Sequence, residues 1–391
     1  MRVLHIITRL ILGGAQQNTV LSCAGQVAAG HEVHLAYGPI EGPEGSLLEE
    51  ARASGAVLHE VGSMVRSVHP VKDLRCYGAL RRLVREVRPE VVHTHSSKAG
   101  IVGRAAAWAE RKSGLPKVLH TVHGLPWHEG MNPLKRRVYV GLERWAARRC
   151  DHLIGITAAM VDAFAHEGVI SASEVAQKCS VVASGVSFSS IKRPPHLVFG
   201  DRMCARCGFP AGSELVALVA RLDPLKGHRD LLGALDRIVR ARPEARVVFV
   251  GDGFDRAGVE RAVAECGHAD RVAMLGLVPL AEMGEVYAGV DVVVLPSYQE
   301  GQSRVLVEAL AAGCAAVGYD VGGIPAVLAA TGRVVPVGDV AALGDALVGA
   351  LKETEQEKAS RVARGRAHVE EHFGAEGMNR RLLELYEGLV G

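Results

Sequence analysis

Two glutamates eight residues apart carry the strongest chemical signal in the chain. Glu300 and Glu308 stand in the stretch Leu295-Pro296-Ser297-Tyr298-Gln299-Glu300-Gly301-Gln302-Ser303-Arg304-Val305-Leu306-Val307-Glu308-Ala309-Leu310-Ala311-Ala312-Gly313. Leu295 ends a run that reads as a strand. A loop containing Gly301 follows, and a helix is expected from about Ser303 to a stop at Gly313. That helix is apolar nearly all round, through Val305, Leu306, Val307, Ala309, Leu310, Ala311 and Ala312, so it should be buried. Burying the single carboxylate of Glu308 costs several kcal/mol unless a partner satisfies it. Either an internal Arg or backbone donor does so, or a ligand diol such as a ribose is gripped by both oxygens. On one helix the two glutamates would lie about 80° and about 12 Å apart. They converge on one small molecule only because Glu300 sits in the loop.

A second constellation is Ala220-Arg221-Leu222-Asp223-Pro224-Leu225-Lys226-Gly227-His228. It follows a strand and opens a helix. Two cations, Arg221 and Lys226, beside a helix N-terminus suit a diphosphate, because the backbone amides and dipole add to their charge. The alternative is a solvated loop with two surface cations. A third is His120-Thr121-Val122-His123-Gly124-Leu125-Pro126. His120 and His123 are three apart, so on a strand they face opposite sides and cannot share a metal. His123 is either bonded to backbone at the strand end or projects into a cleft. His93 and His95 share a face, but nothing after them completes a metal set, so a structural role is expected there. Finally, Gly13 and Gly14 in Leu12-Gly13-Gly14-Ala15 would let a ligand approach the first helix N-terminus. Gly251-Asp252-Gly253 imitates a dinucleotide fingerprint, yet Arg256 stands where its last Gly belongs, which argues against a dehydrogenase.

The elements that must position these residues alternate. Strand patterns run over 3–7, 32–36, 91–94, 118–122 and 152–156, then 215–219, 246–250, 272–275, 290–295 and 315–318. Helical patterns fall between them, as at 74–88, 134–149, 228–241 and 303–312. This rhythm predicts an α/β chain of two doubly wound, Rossmann-like domains facing a cleft. The expected organisation is an N-terminal domain over 1–190, a second over 191–374 and a closing segment over 375–391. The prolines of Ile191-Lys192-Arg193-Pro194-Pro195 mark the boundary.

Composition excludes several classes. The 391 residues, 48% hydrophobic and 23% charged, exclude a disordered or fibrous chain. Aromatics make up 4%, too few for stacking platforms along single-stranded nucleic acid. The net charge of +2 conceals a front half at +6 and a rear half at −4, and no nucleic-acid recognition motif is present. Eight scattered cysteines, with only Cys204 and Cys207 close, read as reduced cytosolic thiols rather than a zinc site. No apolar run reaches about 18 residues, and Met1-Arg2-Val3-Leu4-His5-Ile6-Ile7 enters a strand pattern at once, without the apolar core of a signal peptide.

Glu300, seven intervening residues and Glu308, after a strand and with Gly301 beside the first, resembles the donor-site motif of family 4 glycosyltransferases of GT-B fold. The resemblance covers nearly the whole chain, from the Gly13-Gly14 loop through Asp320-Val321-Gly322-Gly323-Ile324-Pro325 to the helix expected at 378–389. Thr94-His95-Ser96-Ser97-Lys98-Ala99-Gly100 with His123-Gly124-Leu125-Pro126 resembles the capsule- and exopolysaccharide-type subgroup. By this likeness Glu300 and the adjoining Gly301, Gln302 and Ser303 amides meet the donor sugar and its diphosphate. Arg221 and Lys226 hold the diphosphate, Glu308 the ribose, and His123 the sugar near its reacting end; Gly13 and Gly14 line the cleft. The last helix would cross back to the front domain. Two positions depart from the family: Ser184-Gly185-Val186-Ser187 replaces Asn-Gly-Val-Asp, and Ala326 replaces a Glu.

The resulting expectation is a retaining glycosyltransferase that moves a sugar from a nucleotide-diphosphate donor to a glycan or lipid-linked acceptor, with no metal or other cofactor. A sugar-nucleotide epimerase of the same fold and a non-catalytic nucleotide-sugar-binding protein are the competing readings. The segment Leu134–Arg149 combines six cations with Trp145 and Tyr139. It is either a domain helix with a solvated basic face or a peripheral contact with an anionic membrane, at the inner face for a cytoplasmic protein.

Overall fold

The computed structural model describes residues 1–40, 45–127, 131–188, 191 and 196–391. It divides into two compact units, Met1–Gly185 with Ala375–Gly391, and Val186–Gly374. Most of the boundary stretch expected around 191–195 lies outside the described residues; among those described, the chain passes between units at 185/186 and again at 374/375.

The first unit is built on seven parallel strands: β1 (Arg2–Arg9), β2 (Glu32–Gly38), β3 (Val57–Glu60), β4 (Val91–His95), β5 (Lys117–Val122), β6 (His152–Gly155) and β7 (Cys179–Val181). Their order is β3-β2-β1-β4-β5-β6-β7. The second has six: β8 (Glu214–Val219), β9 (Ala245–Val250), β10 (Val272–Gly276), β11 (Val292–Leu295), β12 (Ala315–Tyr319) and β13 (Arg333–Val335). Their order is β10-β9-β8-β11-β12-β13. Both orders are doubly wound, with the chain reversing direction across the sheet between β1 and β4 and between β8 and β11. Central strands are apolar almost without interruption because helices cover both faces; β1 and β11 are buried along nearly their whole length. The expectation of two Rossmann-like sheets therefore holds. Three strands escaped it. β3, β7 and β13 are three or four residues long, partly exposed, and lie at sheet edges, so no apolar run announces them.

The helix Ala375–Val390 belongs to the first unit. Its Met378, Leu382 and Tyr386 pack with Val3, Val91, Leu119 and Ile154 of the first sheet.

A buried ion pair fixes the neighbouring helices. Arg104, on the helix Ser97–Ala109, donates from Nη2 to Glu143 Oε2 of the helix Pro133–Ala147 at 2.6 Å, and both side chains are almost fully buried. Arg104 Nε also donates to Gly100 O at 2.7 Å. Removing one partner strands the other charge. Arg104→Met is expected to destabilise the first unit by about 3–5 kcal/mol, and Arg104→Met with Glu143→Leu to recover most of that loss. All three tryptophans, Trp108, Trp127 and Trp145, lie in this unit, so denaturant unfolding followed by tryptophan fluorescence reads it selectively. A double variant no more stable than the single one contradicts the prediction.

Candidate active site

In open parallel sheets, ligands sit beyond the strand carboxyl ends where the order reverses. In the second unit that point is β8/β11, paired at Val216–Val292 and Ala217–Val293. The loop after β8 turns through a short helical turn, Pro224–Lys226, which Asp223 caps by accepting from Leu225 N at 3.0 Å. Gly227 follows with φ 71°, and a Cβ there would stand 1.9 Å from Pro296 O. Only glycine permits that approach. Tyr298 N donates to Leu225 O at 2.8 Å, so the loops after β8 and β11 are fastened backbone to backbone. This brings Lys226 Nζ to Glu300 Oε1 at 2.5 Å, with Ser297 Oγ donating to the same oxygen at 3.1 Å. Arg221 stays in the same loop but is 76% exposed, with Asp223 Oδ2 3.8 Å away.

The loop around Glu300 is held from below as well. Gly322 has φ 57°, and a Cβ on it would meet Glu300 O at 2.0 Å; Gly323 N donates to Gly301 O at 2.7 Å. Ser303 caps the helix Arg304–Ala312 by accepting from Leu306 N at 3.3 Å, and Gln302 is buried beside it. Tyr298 and Tyr319 both donate to Asp230 Oδ2, at 2.7 and 2.6 Å, in the first turn of the helix His228–Ala241. The N-termini of two helices, His228–Ala241 and Arg304–Ala312, thus open from loops joined by the Lys226–Glu300 pair. This is a positive, amide-rich setting for an anion.

Glu308 meets protein partners. Tyr287 Oη donates to its Oε2 at 2.8 Å, and Arg304 Nη2 lies 3.9 Å from its Oε1, while 14% of the side chain stays exposed. Burial raises the Glu308 carboxyl above its usual range, raises Tyr287 well above its own and lowers Arg304. The internal Arg that the sequence left open is present, one helical turn away. The Gly251-Asp252-Gly253 turn is closed by Arg256 Nη1 donating to Asp252 Oδ2 at 3.0 Å, which accounts for Arg256 as a turn-locking residue.

In the first unit β1, β4 and β5 align a different group. His5 sits opposite His93 in register. His93 and His95 do share a face, with ring centroids 4.3 Å apart. His120 bonds Thr94 instead, Nδ1 to Oγ1 at 3.0 Å, on the opposite face. His123, just past β5, is bonded to neither backbone nor solvent: its Nε2 lies 3.0 Å from His95 Nδ1, and its Nδ1 is shielded with no partner among the described residues. Gly13 precedes the helix Gly14–Ala28 in extended conformation, φ −178°, and a Cβ there would meet only the end of the Gln16 side chain. Its small size, rather than its backbone freedom, keeps that helix start open.

Known families share this layout. Residues 13–177 match the glycosyl transferase 4-like domain, and residues 205–366 match the glycosyl transferases group 1 domain. A 2-deoxystreptamine N-acetyl-D-glucosaminyltransferase of Streptomyces fradiae is 30% identical over 79% of this chain and 73% of its own length. The chain belongs to the family 4 glycosyltransferases.

Within that family, a D-inositol 3-phosphate glycosyltransferase of Segniliparus rotundus is 32% identical, matching 64% of this chain and 56% of that protein. Escherichia coli UDP-Gal:alpha-D-GlcNAc-diphosphoundecaprenol alpha-1,3-galactosyltransferase is 29% identical over 67% of this chain and 66% of its own. The chain thus spans somewhat less than two thirds of those two relatives. Among solved structures, Anabaena HepE in complex with UDP and glucose covers 99% of both chains at TM-score 0.79 and 20% identity, which establishes the GT-B fold. The family 4 likeness did not announce several residues now visible: Ser297, Tyr287, His5, Gln26 and Tyr386. Tyr287, His5, Gln26 and Tyr386 make their contacts from elements distant in sequence, so no local spacing could reveal them, whereas Ser297 stands three residues before Glu300 in the same loop and was within reach of a local reading. His228 was named only as the end of a motif. It is buried against Phe249, ring centroids 5.0 Å apart, and burial lowers its pKa to about 4.

Burial also brings His5 and His123 down to about 4, and His93, His95 and His120 well below the usual 6.5. Above pH 6.5 neither the folded nor the unfolded chain holds these protons. Below it the unfolded chain binds them and the native chain does not, so native stability is lost as pH falls from 6.5 toward 4. The slope is at most about 1.4 kcal/mol per pH unit for each imidazole. Denaturant midpoints from tryptophan fluorescence should therefore fall markedly between pH 7 and pH 5. An unchanged midpoint would mean that these rings titrate alike in both states.

Proposed function

We propose that this protein transfers a sugar from a nucleotide-diphosphate sugar to a hydroxyl of a glycan or lipid-linked acceptor, with retention of configuration and without a metal. The carrying observation is the Lys226–Glu300 pair at the β8/β11 reversal, flanked by two helix N-termini. In this reading the second unit takes the donor and the first the acceptor, with the segment 375–391 completing the first. Lys226, Arg221 and the amides of Gly301, Gln302 and Ser303 hold the diphosphate, while Glu308 holds the ribose. Glu300 and His123 meet the sugar, and Gly13 and Gly14 are assigned to lining the ligand cleft. Donor chemistry of this kind is in the names of relatives: UDP-Gal and an alpha-1,3 linkage for the Escherichia coli protein, and UDP-glucose bound to Anabaena HepE. The acceptor in the Escherichia coli protein's name, alpha-D-GlcNAc-diphosphoundecaprenol, is a lipid-linked sugar, which supports an acceptor of that class in cell-surface polysaccharide or glycolipid synthesis.

As the glycosidic bond breaks, negative charge grows on the departing phosphate. Fixed cations and amides stabilise it more than they do the ground state. Glu300 is tied to Lys226 and Ser297 and is poorly placed to act as a free nucleophile. The acceptor oxygen therefore attacks the anomeric carbon from the same face that the phosphate leaves, which retains the configuration, and its proton passes to the departing phosphate oxygen, leaving the glycoside and a nucleoside diphosphate. Among the described residues, three or more potential metal ligands gather only at His5, His93 and His95, which belong to the first unit, whereas Arg221 and Lys226 belong to the second.

A thermal-shift panel of nucleotide sugars, followed by mass spectrometry of products with sugar and lipid acceptors, tests the activity. Donor turned over with no acceptor favours an epimerase; donor bound without transfer or hydrolysis favours a binding protein. Initial rates should be unchanged by a chelator, whereas Arg221→Ala and Lys226→Ala should each lower kcat and donor affinity. Rates abolished by chelator and restored by magnesium or manganese contradict the metal-free reading. Glu308→Gln keeps the size but loses a charge-assisted hydrogen bond worth about 1.5–3 kcal/mol. Nucleotide affinity should fall roughly ten- to a hundredfold; unchanged affinity for the free nucleotide removes Glu308 from the ribose.

Peripheral attachment to an anionic membrane, from the cytoplasmic side, belongs to the same proposal. On the helix Pro133–Ala147, Leu134, Val138, Leu142 and Trp145 form one exposed stripe, 40–71% exposed, at helical spacing. Arg136 and Arg144 are committed to Glu167 and to the Gly168 carbonyl. Lys135, Arg137 and Arg148 remain at the surface beside the stripe. An apolar stripe flanked by cations suits an anionic interface. No described helix is long and apolar enough to cross a membrane. Flotation should show binding to vesicles containing anionic lipid, weakened by salt and by Trp145→Ser with Leu142→Ser. Equal recovery with neutral vesicles, or none with either, assigns the helix to an ordinary solvated face.

A further inference from the structure

The first unit holds a line of imidazoles whose direction can be read from its hydrogen bonds. Gln26, on the helix Gly14–Ala28, places Oε1 2.9 Å from His5 Nε2. A carbonyl oxygen only accepts, so His5 carries its proton on Nε2 and has a lone pair on Nδ1. That lone pair faces His95 Nε2 at 2.9 Å, which must donate. His95 Nδ1 is then bare and faces His123 Nε2 at 3.0 Å, which must donate in its turn. A neutral imidazole has one donor and one acceptor, so the sense of the whole line is set at Gln26. Burial keeps His5, His95 and His123 neutral. The line ends at His123 Nδ1, shielded from solvent and without a partner among the described residues.

A branch agrees with this orientation of Gln26. Its Nε2 points to Tyr386 Oη at 3.4 Å, and Tyr386 Oη lies 2.5 Å from His93 Nδ1. With its oxygen facing the amide N–H, Tyr386 turns its proton to His93 Nδ1, and His93 Nε2 donates to Thr121 Oγ1 at 2.7 Å. Both nitrogens of His93 are thereby engaged. Hydrogen bonds, rather than an ion, account for the grouping of His5, His93 and His95, whose ligand atoms lie within 4.8 Å of one another.

We propose that Gln26, acting through His5 and His95, fixes His123 as the Nε2–H tautomer, so that its Nδ1 is a permanent acceptor that reads a hydroxyl of the donor sugar and disfavours an ionised carboxylate there. The inference rests on the reading that His123 meets the sugar. Gln26, His5 and His95 are positioning residues. A hydroxyl donates to Nδ1 and satisfies it. A carboxylate has only lone pairs to offer, and the two acceptors oppose each other in a site that excludes water. A site built around one hydrogen bond rejects a ligand that cannot make it far more strongly than an apolar pocket rejects a small change in shape. The chain should therefore prefer a nucleotide hexose to the matching nucleotide uronate.

Two-bond 1H–15N correlation spectra of the full chain labelled with 15N-histidine, at pH 7 and without ligand, test the tautomers directly. His5, His95 and His123, assigned by single His→Ala variants, should each show a protonated Nε2 and a bare Nδ1. Gln26→Leu removes both halves of the amide, and His123 should then show a mixture of tautomers or the Nδ1–H form. A protonated Nδ1 on His123 in the parent overturns the proposal, as does one equivalent of zinc retained through purification, or a Gln26→Leu spectrum with all three tautomers unchanged. The parent spectrum decides even where that variant fails to fold. With the hexose donor found in the panel, kcat/KM should exceed that of its uronate at least tenfold, and Gln26→Leu should shrink that ratio. The loss caused by Gln26→Leu should largely vanish in a His123→Ala background, because both act through one atom. Equal use of hexose and uronate by the parent overturns the specificity. The expected tautomers together with a His123→Ala variant of normal donor kinetics would instead place the error in the donor-site reading.

Discussion

The ion pair between Lys226 and Glu300 is the contact on which the second unit's site depends. An ion pair on an open surface contributes little, because water competes for both ends and two long side chains must be ordered. Here the ordering is done by the backbone. Gly227 lies against Pro296, Tyr298 is bonded to Leu225, and Gly322 lies beneath Glu300. The cation and carboxylate meet because the two loops are already joined, and the sheet order explains why these two loops are neighbours at all. β8 and β11 pair Val216 with Val292, 76 residues further along the chain, yet they are adjacent in the sheet. Everything around the pair, including the Ser303 cap and the tyrosines on Asp230, serves to hold one of those loops.

The first unit reaches order by a different route. Its interior is lined with neutral imidazoles rather than with ions, apart from Arg104 and Glu143. Its formal positive charge is carried largely outside, much of it on the helix Pro133–Ala147. The division follows from solvation. A lone cation is costly to bury, whereas a neutral imidazole with a donor on one side and an acceptor on the other can be built into a sheet core. Such a line carries directional information without net charge. In the second unit, where the proposed ligand is an anion, the information is charge itself.

Much of this was legible in the sequence because it is local. The apolar runs of the central strands, the helix from Ser303 to Gly313 and the spacing of Glu300 and Glu308 can all be read within a window of some twenty residues. The role of Gly227 was only half legible: a glycine after Lys226 indicates a turn, but not that Pro296 is its neighbour. The edge strands β3, β7 and β13 were not legible, since short, partly exposed strands lack the burial that writes a pattern. Least legible was the imidazole line. Gln26, His5, His95 and His123 come from one helix, two strands and a strand end, and nothing in their spacing announces that they touch. Even the correctly read shared face of His93 and His95 could not reveal Tyr386 arriving from the far end of the chain.

That arrival bears on the order in which the molecule can be made. The second unit, Val186–Gly374, is a single continuous stretch. Once it has cleared the ribosome it has every strand of its own sheet. The first unit is not continuous: its core still lacks Met378, Leu382 and Tyr386 until the segment that follows the whole second unit is synthesised. Seven strands therefore wait, through the synthesis of an entire second unit, for the helix that covers part of one face and supplies the hydroxyl facing His93. Synthesis runs from the first residue to the last, but completion runs the other way. The half of the protein that is made first is the half that is finished last.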